Sequence, residues 1–182
     1  NDLENLGAET SEEALIFSLR RLIDAGISVI QIRTRETARV LEHLRKHITT
    51  EEGSTYREFD IVHGNRTAFS ATNYYNHALA GDSNGDKLPM AIQHPLECLE
   101  ASKNGNVLLH CVYNVPIQAI NGNIKVLELL ELYCTLLPGT NCVVILVTGS
   151  EDTINVPPGT LHILKAPTPT AEELEKELRA AL

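Results

Sequence analysis

Residues 22–36 read LIDAGISVIQIRTRE, and this stretch decides the fold. Gly26 ends a helix whose apolar residues recur at helical spacing from Leu15 onward. The run Ile27–Ile32 is rich in β-branched residues, which predicts a strand. Thr34 follows as the predicted N-cap of a helix over residues 35–48. A strand that leads so directly into a helix predicts the first half of a βαβ unit.

Two later stretches predict strands that are covered on both faces. Val107–Tyr113 and Cys142–Val147 are almost wholly apolar, as in the centre of a parallel sheet. The remaining predicted elements are strands over Tyr56–His63 and Leu161–Leu164, and helices over residues 89–101, residues 123–137 with Ile124 toward the core, and a last helix after Pro169. This order predicts one α/β domain over residues 1–182, with a three-layer, mostly parallel sheet and an insertion loop at residues 65–87.

Composition limits the partners and the compartment. The chain has 182 residues, 43% of them hydrophobic, and a net charge of −9, which disfavours nucleic acid and anionic membranes as partners. No apolar run is long enough to cross a membrane, and no secretory signal is evident. The four cysteines form no C-x-x-C pair and are interpreted as buried free thiols. We therefore expect a cytoplasmic protein.

The motifs of phosphoryl transfer are missing where the fold would need them. The turn after Ile32 reads Arg33-Thr34-Arg35-Glu36 and has no glycine, so its amides cannot wrap phosphates as a P-loop does. The run Val107–Tyr113 continues into Asn114 and provides no carboxylate for Mg²⁺. We therefore expect no catalytic residue and no metal ligand in this chain.

Two further features have structural interpretations. His43 and His47 share one helix face, but a zincin motif would need Glu at position 44, which is Leu. We therefore predict that both histidines complement the helix C-terminus on a solvated face. The polar loop Gly149–Asp152 follows a buried strand, where functional residues often occur, and is interpreted as an ordinary strand exit.

Four stretches carry a resemblance to a known family. They are Leu22–Glu36, Tyr56–Gly64, Val107–Tyr113 and a tail comprising Val143–Thr148, Val156–Leu161 and Ala166–Leu174. In these stretches the chain resembles the N-terminal, degenerate ATPase-like domain of two-part AAA+ ATPases of the chloroplast and cyanobacterial type, which also has phage relatives. The third stretch lacks the Asp that the family usually carries.

The resemblance implies an AAA+-like P-loop NTPase topology without a P-loop, followed in the intact protein by a second AAA+ domain beyond residue 182. It implies a non-catalytic module that supports assembly or partner binding of an ATPase, by self-association or with another protein. Arg33, Arg35 and Arg39 would face an acidic neighbour, such as the Glu-rich last helix of another copy.

A small-molecule-binding α/β domain unrelated to ATPases is one alternative. The other is an AAA+ ATPase that binds ATP at an unorthodox phosphate site. Thr34, Arg35 and Glu36 would then take the place of the P-loop, Asn114 would follow the Walker-B-like strand, and Thr148 would be the sensor-1 residue. No cofactor is expected in this chain otherwise, and ATP with Mg²⁺ is expected in the intact protein.

Overall fold

A computed structural model describes residues 10–60, 64–69, 74–77 and 107–182. The helices of this part of the chain are α1 (Ser11–Asp24), α2 (Thr37–Thr49), α3 (Ile117–Asn121), α4 (Ile124–Leu136) and α5 (Ala171–Ala181). The strands are β1 (Val29–Thr34), β2 (Ser54–Asp60), β3 (Gly64–Phe69), β4 (Tyr74–His77), β5 (Leu108–Asn114), β6 (Cys142–Gly149) and β7 (His162–Lys165).

The strands form one sheet in the order β4-β3-β2-β5-β6-β1-β7. The neighbouring pairs β2-β5, β5-β6, β6-β1 and β1-β7 are parallel. Strands β3 and β4 are added antiparallel at the β2 side of the sheet. The predicted mostly parallel sheet is thus confirmed. The insertion at residues 65–87 is not simply a loop, because it contributes most of β3 and all of β4. The helix predicted over residues 89–101 lies outside the described residues.

Helices cover both faces of the sheet, which confirms the predicted three layers. Apolar side chains of α1 and α2 pack on one face, over alternate residues of β1 and β6 such as Ile32 and Ile145. Side chains of α3 and α4 pack on the other face, over residues such as Val29 and Leu146. Strand β6 is buried over seven of its eight residues as a result.

Two details of the predicted helices are wrong. Thr34 is not an N-cap: α2 begins at Thr37 after Glu36, and Thr34 ends β1. Ile124 is not in the core but 71% exposed, since it lies at the first position of α4. Val126 and Leu130 point into the core instead and are fully buried.

Helix α5 is attached through its acidic face. Glu173 accepts hydrogen bonds from the backbone and the hydroxyl group of Ser11, at 2.6 and 2.7 Å, and Glu177 forms a bidentate pair with Arg39 at 2.5 and 2.7 Å. No residue of α5 is buried, and Leu174 and Leu178 are 47% and 64% exposed. The apolar stripe of this helix therefore stays largely exposed, whereas its pattern alone indicates a core-facing side.

A buried ion pair fastens α2 to β2. The guanidinium of Arg45 donates to both carboxylate oxygens of Glu58, at 2.9 and 2.6 Å, and the hydroxyl of Tyr56 donates to Glu58 at 2.5 Å. The Glu58 side chain has no exposed surface, whereas that of Arg45 is 31% exposed. Burial and the neighbouring Glu58 carboxylate raise the pKa of Tyr56 well above its ordinary value.

We expect Arg45→Met to lower the free energy of unfolding by about 2 kcal/mol, because it leaves the buried Glu58 carboxylate without its ion-pair partner. Arg179→Met is the matched control, since the Arg179–Glu175 pair is exposed on α5 and is expected to contribute less than about 0.5 kcal/mol. Urea unfolding measures both. Equal effects of the two substitutions would contradict a structural role for the buried pair.

Candidate functional site

A cleft of about 590 Å³ opens at the carboxyl ends of β1, β6 and β7. Its walls come from the turn after β1, the loop after β6, the segment after β7 and the first turns of α5. The lining residues are Arg33, Thr34, Arg35, Glu36, Ser150, Glu151, Lys165, Ala166, Pro167, Thr168, Pro169 and Leu174. A volume of this size accommodates a small ligand or a few side chains of a partner.

The topology explains why a cleft forms at this place. The chain leaves β1 through α2, on one face of the sheet, and returns in β2 on the far side of β5. It leaves β6 through residues 150–161, whose Ile154 packs on the other face, and crosses β1 to reach β7. Because neighbouring strands send their connections in opposite directions, a crevice remains outside their carboxyl ends, where open α/β sheets bind ligands.

Three cationic side chains line the cleft. Arg33 of β1 lies beside Lys165 of β7 in the register of the parallel pair, so both side chains leave the same face of the sheet. Arg35 follows in the turn and is exposed. Within the described residues, none of the three makes an ion pair or a side-chain hydrogen bond, and Nε of Arg33 is buried without a partner. The cleft therefore has uncompensated positive charge.

Two carboxylates moderate this charge. Glu36 and Glu151 also line the cleft, and Glu36 forms an ion pair with Arg39 at 3.0 Å. Arg39 itself, which we expected to face a neighbouring molecule, is bound within the chain by Glu177 of α5. That hydrogen bond is the main cause that raises the pKa of Arg39.

The turn after β1 is closed by a side chain. The Thr34 hydroxyl accepts a hydrogen bond from the backbone amide of Glu36 at 2.9 Å, and Thr34 is 7% exposed. The Glu36 side chain makes no capping hydrogen bond to α2. An amide that a glycine-rich turn would offer to a phosphate is thus occupied here, while the first turn of α2 has no side-chain cap.

The hydroxyl of Thr148 is also engaged. It accepts a hydrogen bond from Nε2 of Gln31 at 2.9 Å, and the same nitrogen donates to the Asp152 carbonyl at 3.0 Å. Both Gln31 and Thr148 are buried, and Oε1 of Gln31 has no partner. This network ties β1 to β6 and to the loop that follows β6, so the Thr148 hydroxyl has a structural role.

Asn114 does not join the cleft. It ends β5, in register with Asp60 of β2 and Val147 of β6, so that β6 separates it from β1. The structure therefore brings together Arg33, Thr34, Arg35 and Glu36 of the residues singled out in the sequence, and leaves Asn114, Thr148 and Arg39 outside the lining.

Sequence reasoning missed Lys165, Ser150 and Glu151 as lining residues. The loop that contains Ser150 and Glu151 was interpreted as an ordinary strand exit, although the strand before it was correctly predicted to be buried. Lys165 ends a short edge strand whose position beside β1 has no signal in the sequence. The rule that ligands bind at the carboxyl ends of strands could have identified all three once the strand order was known.

The two histidines on α2 contact α1 instead of lying on a solvated face. Oε1 of Glu12 lies 2.8 Å from Nε2 of His47 and 3.5 Å from Nδ1 of His43, and Lys46 donates to it at 3.2 Å. No group of three potential metal ligands converges within the described part of the chain. Desolvation works to raise the pKa of Glu12, but the contacts with His47, Lys46 and His43 outweigh it and lower that pKa.

The other sequence expectations have direct counterparts. Cys111 and Cys142 are buried thiols outside any disulfide, as predicted, and Cys134 is a half-buried thiol, whereas Cys98 lies outside the described residues. Among the helices that the structure describes, none has both the length and the apolar character needed to cross a membrane.

No protein-family model matches the chain, and no curated protein matches it either.

We expect Thr148→Val to lower the free energy of unfolding by about 1–2 kcal/mol, because Gln31 then loses a buried hydrogen-bond partner. Thr135→Val is the control, since Thr135 is exposed on α4. Thermal or urea unfolding measures both. Unchanged stability of Thr148→Val would mean that the Thr148 hydroxyl is dispensable to the fold.

The Glu12 cluster predicts a pH dependence of stability. Because folding lowers the pKa of Glu12, its carboxylate stabilises the fold above its ordinary pKa of 4.5, and this contribution is lost as pH falls through the lower pKa of the folded state. We expect Glu12→Gln to be less stable than the parent at pH 7 and the difference to shrink under acid. Glu128→Gln, which alters an exposed carboxylate on α4, is the control in the same unfolding series. A pH-independent difference for Glu12→Gln would contradict this assignment.

Proposed function

We propose that this chain is a non-catalytic, AAA+-like module that supports assembly or partner binding of an ATPase. The observation that carries the proposal is the turn Arg33–Glu36, at the position where the related fold has its phosphate cradle. Thr34 closes this turn by taking the amide of Glu36, and no glycine allows the backbone to approach a phosphate. The cleft is retained, but its chemistry suits a protein partner better than a nucleotide.

Charge distribution supports a protein contact. The chain carries a net charge of −9, yet Arg33, Arg35 and Lys165 line one cleft and form no ion pair with a described residue. Opposite charges on two surfaces steer and orient their association. An acidic surface of another subunit, of the same or another protein, is the complement that this arrangement favours.

The second candidate is ATP binding at an unorthodox site. The cleft adjoins the start of α2, whose first turn has no side-chain cap, and about 590 Å³ is enough for a nucleotide. Three features count against it. The Thr148 hydroxyl is engaged by Gln31, Asn114 offers no carboxylate for Mg²⁺, and Glu36 and Glu151 would repel a triphosphate.

We expect calorimetric titration of the chain with ATP or ADP and Mg²⁺ to give no binding tighter than about 100 μM, which corresponds to about 5.5 kcal/mol. Thermal unfolding in the same solutions should show no stabilisation by nucleotide. Tighter binding that is lost in Thr34→Val would overturn the proposal in favour of the nucleotide site.

The proposal also predicts that the chain contributes to assembly. In the longer polypeptide that the AAA+ resemblance implies, Arg35→Glu should weaken association measured by sedimentation velocity. Lys125→Glu makes the same change of charge at an exposed position on α4 and should not. Assembly that is insensitive to both substitutions would remove Arg35 from the interface.

A further inference from the structure

The cations in the cleft, Arg33, Arg35 and Lys165, form no ion pair with any of the described residues. Arg33 and Lys165 lie directly opposite each other on adjacent strands, and like charges in such pairs destabilise a sheet. Nε of Arg33 is buried without a hydrogen-bond partner, which adds an unsatisfied donor to the same place. A bound anion would relieve both costs.

The charged and apolar residues that line the cleft limit which kinds of anion would fit it. Glu36 and Glu151 line the cleft with the three cations, so the excess positive charge is small. This balance favours a ligand with one or two spaced carboxylates over a compact polyphosphate. Leu174, Pro167 and Pro169 form an apolar side of the cleft, so a fitting ligand also has an apolar group next to its carboxylates.

Helix α5 shows how this end of the molecule already accepts carboxylates. Glu173 and Glu177 are four residues apart, so they lie on one face of the helix, and they bind Ser11 and Arg39. The acidic face of α5 thus binds hydrogen-bond donors at the start of α1 and the guanidinium of Arg39 in α2. Arg33, Arg35 and Lys165 are comparable donors with no such ligand.

We propose that the cleft binds an acidic amphipathic segment of a partner protein, with carboxylates on Arg33, Arg35 and Lys165 and an apolar side chain against Leu174 and the two prolines. This inference rests on the proposed role of the chain as a partner-binding module, and it specifies the chemistry of that partner. The exposed stripe of Leu174 and Leu178 extends the apolar side of the contact beyond the cleft.

The experiment uses a fluorescently labelled helical peptide in which Glu recurs every four residues beside Leu, and a matched peptide with Gln at every Glu position. Anisotropy measures binding of each peptide to the whole chain. We expect saturable binding of the Glu peptide that weakens with added salt. Binding of the Gln peptide should be at least about tenfold weaker, or 1.4 kcal/mol.

Protein variants localise the binding. Arg35→Glu and Lys165→Glu alter exposed residues of the cleft. Each should weaken the binding of the Glu peptide by about tenfold, or 1.4 kcal/mol. Lys125→Glu on α4 makes the same change of charge outside the cleft and should leave the affinity within about twofold. Circular dichroism of each variant verifies that the fold is retained.

Three results would overturn the inference: no binding of the Glu peptide, equal binding of the Gln peptide, or equal weakening by Lys125→Glu. Inorganic phosphate and Mg-ATP are tested as separate competitors. Displacement of the peptide by either at micromolar concentration would reassign the cleft to phosphates and would also contradict the proposed non-catalytic module. If neither the Glu peptide nor a nucleotide binds, only the inference about an acidic segment is overturned, and the proposed non-catalytic module stands.

Discussion

The parallel pairing of β1 with β6 is the constraint on which the rest of the structure depends. Each strand is covered on both faces, so the backbone groups of both must be satisfied within the sheet. The pairing runs from Val29 with Val144 to Thr34 with Gly149, which brings both carboxyl ends to the same level. The turn into α2 and the loop after β6 therefore face each other, and the cleft is a consequence of the core.

The same pairing explains why polar side chains close to the cleft are engaged within the fold. Gln31 is buried in β1, where a polar side chain needs partners, and Thr148 and the Asp152 carbonyl provide them. The Thr148 hydroxyl is thereby used to hold the sheet and the loop together. Thr34 is used in the same way, because its hydroxyl closes the turn that precedes α2. Polar groups near the ends of β1 thus stabilise the fold, and the longer basic side chains are left for binding.

Much of this fold follows from the sequence, because periodicity and burial are local signals. The apolar runs around Val112 and Ile145 predicted central strands, and the β-branched run Ile27–Ile32 predicted the strand that leads into α2. The antiparallel strands β3 and β4 were missed, since these short strands at one side of the sheet have little aliphatic content to mark them. Lys165 was missed because its place beside Arg33 depends on strand order, which no local pattern encodes. The exposed apolar face of α5 was also missed, since a helical stripe normally indicates the core.

The attachment of α5 explains how a basic cleft persists in an acidic protein. Glu173 and Glu177 bind the first turns of α1 and α2, and these contacts direct the helix's carboxylates away from Arg33 and Lys165. The hydrogen bonds from Ser11 lower the pKa of Glu173, although desolvation opposes this, so the contact is strongest with the carboxylate ionised. Leu174, which follows Glu173 on the helix, lines the cleft. Glu173 and Glu177 therefore hold α5 beside the cleft while they are paired with Ser11 and Arg39 and not with the cations of the cleft, as the proposed binding of an acidic segment requires.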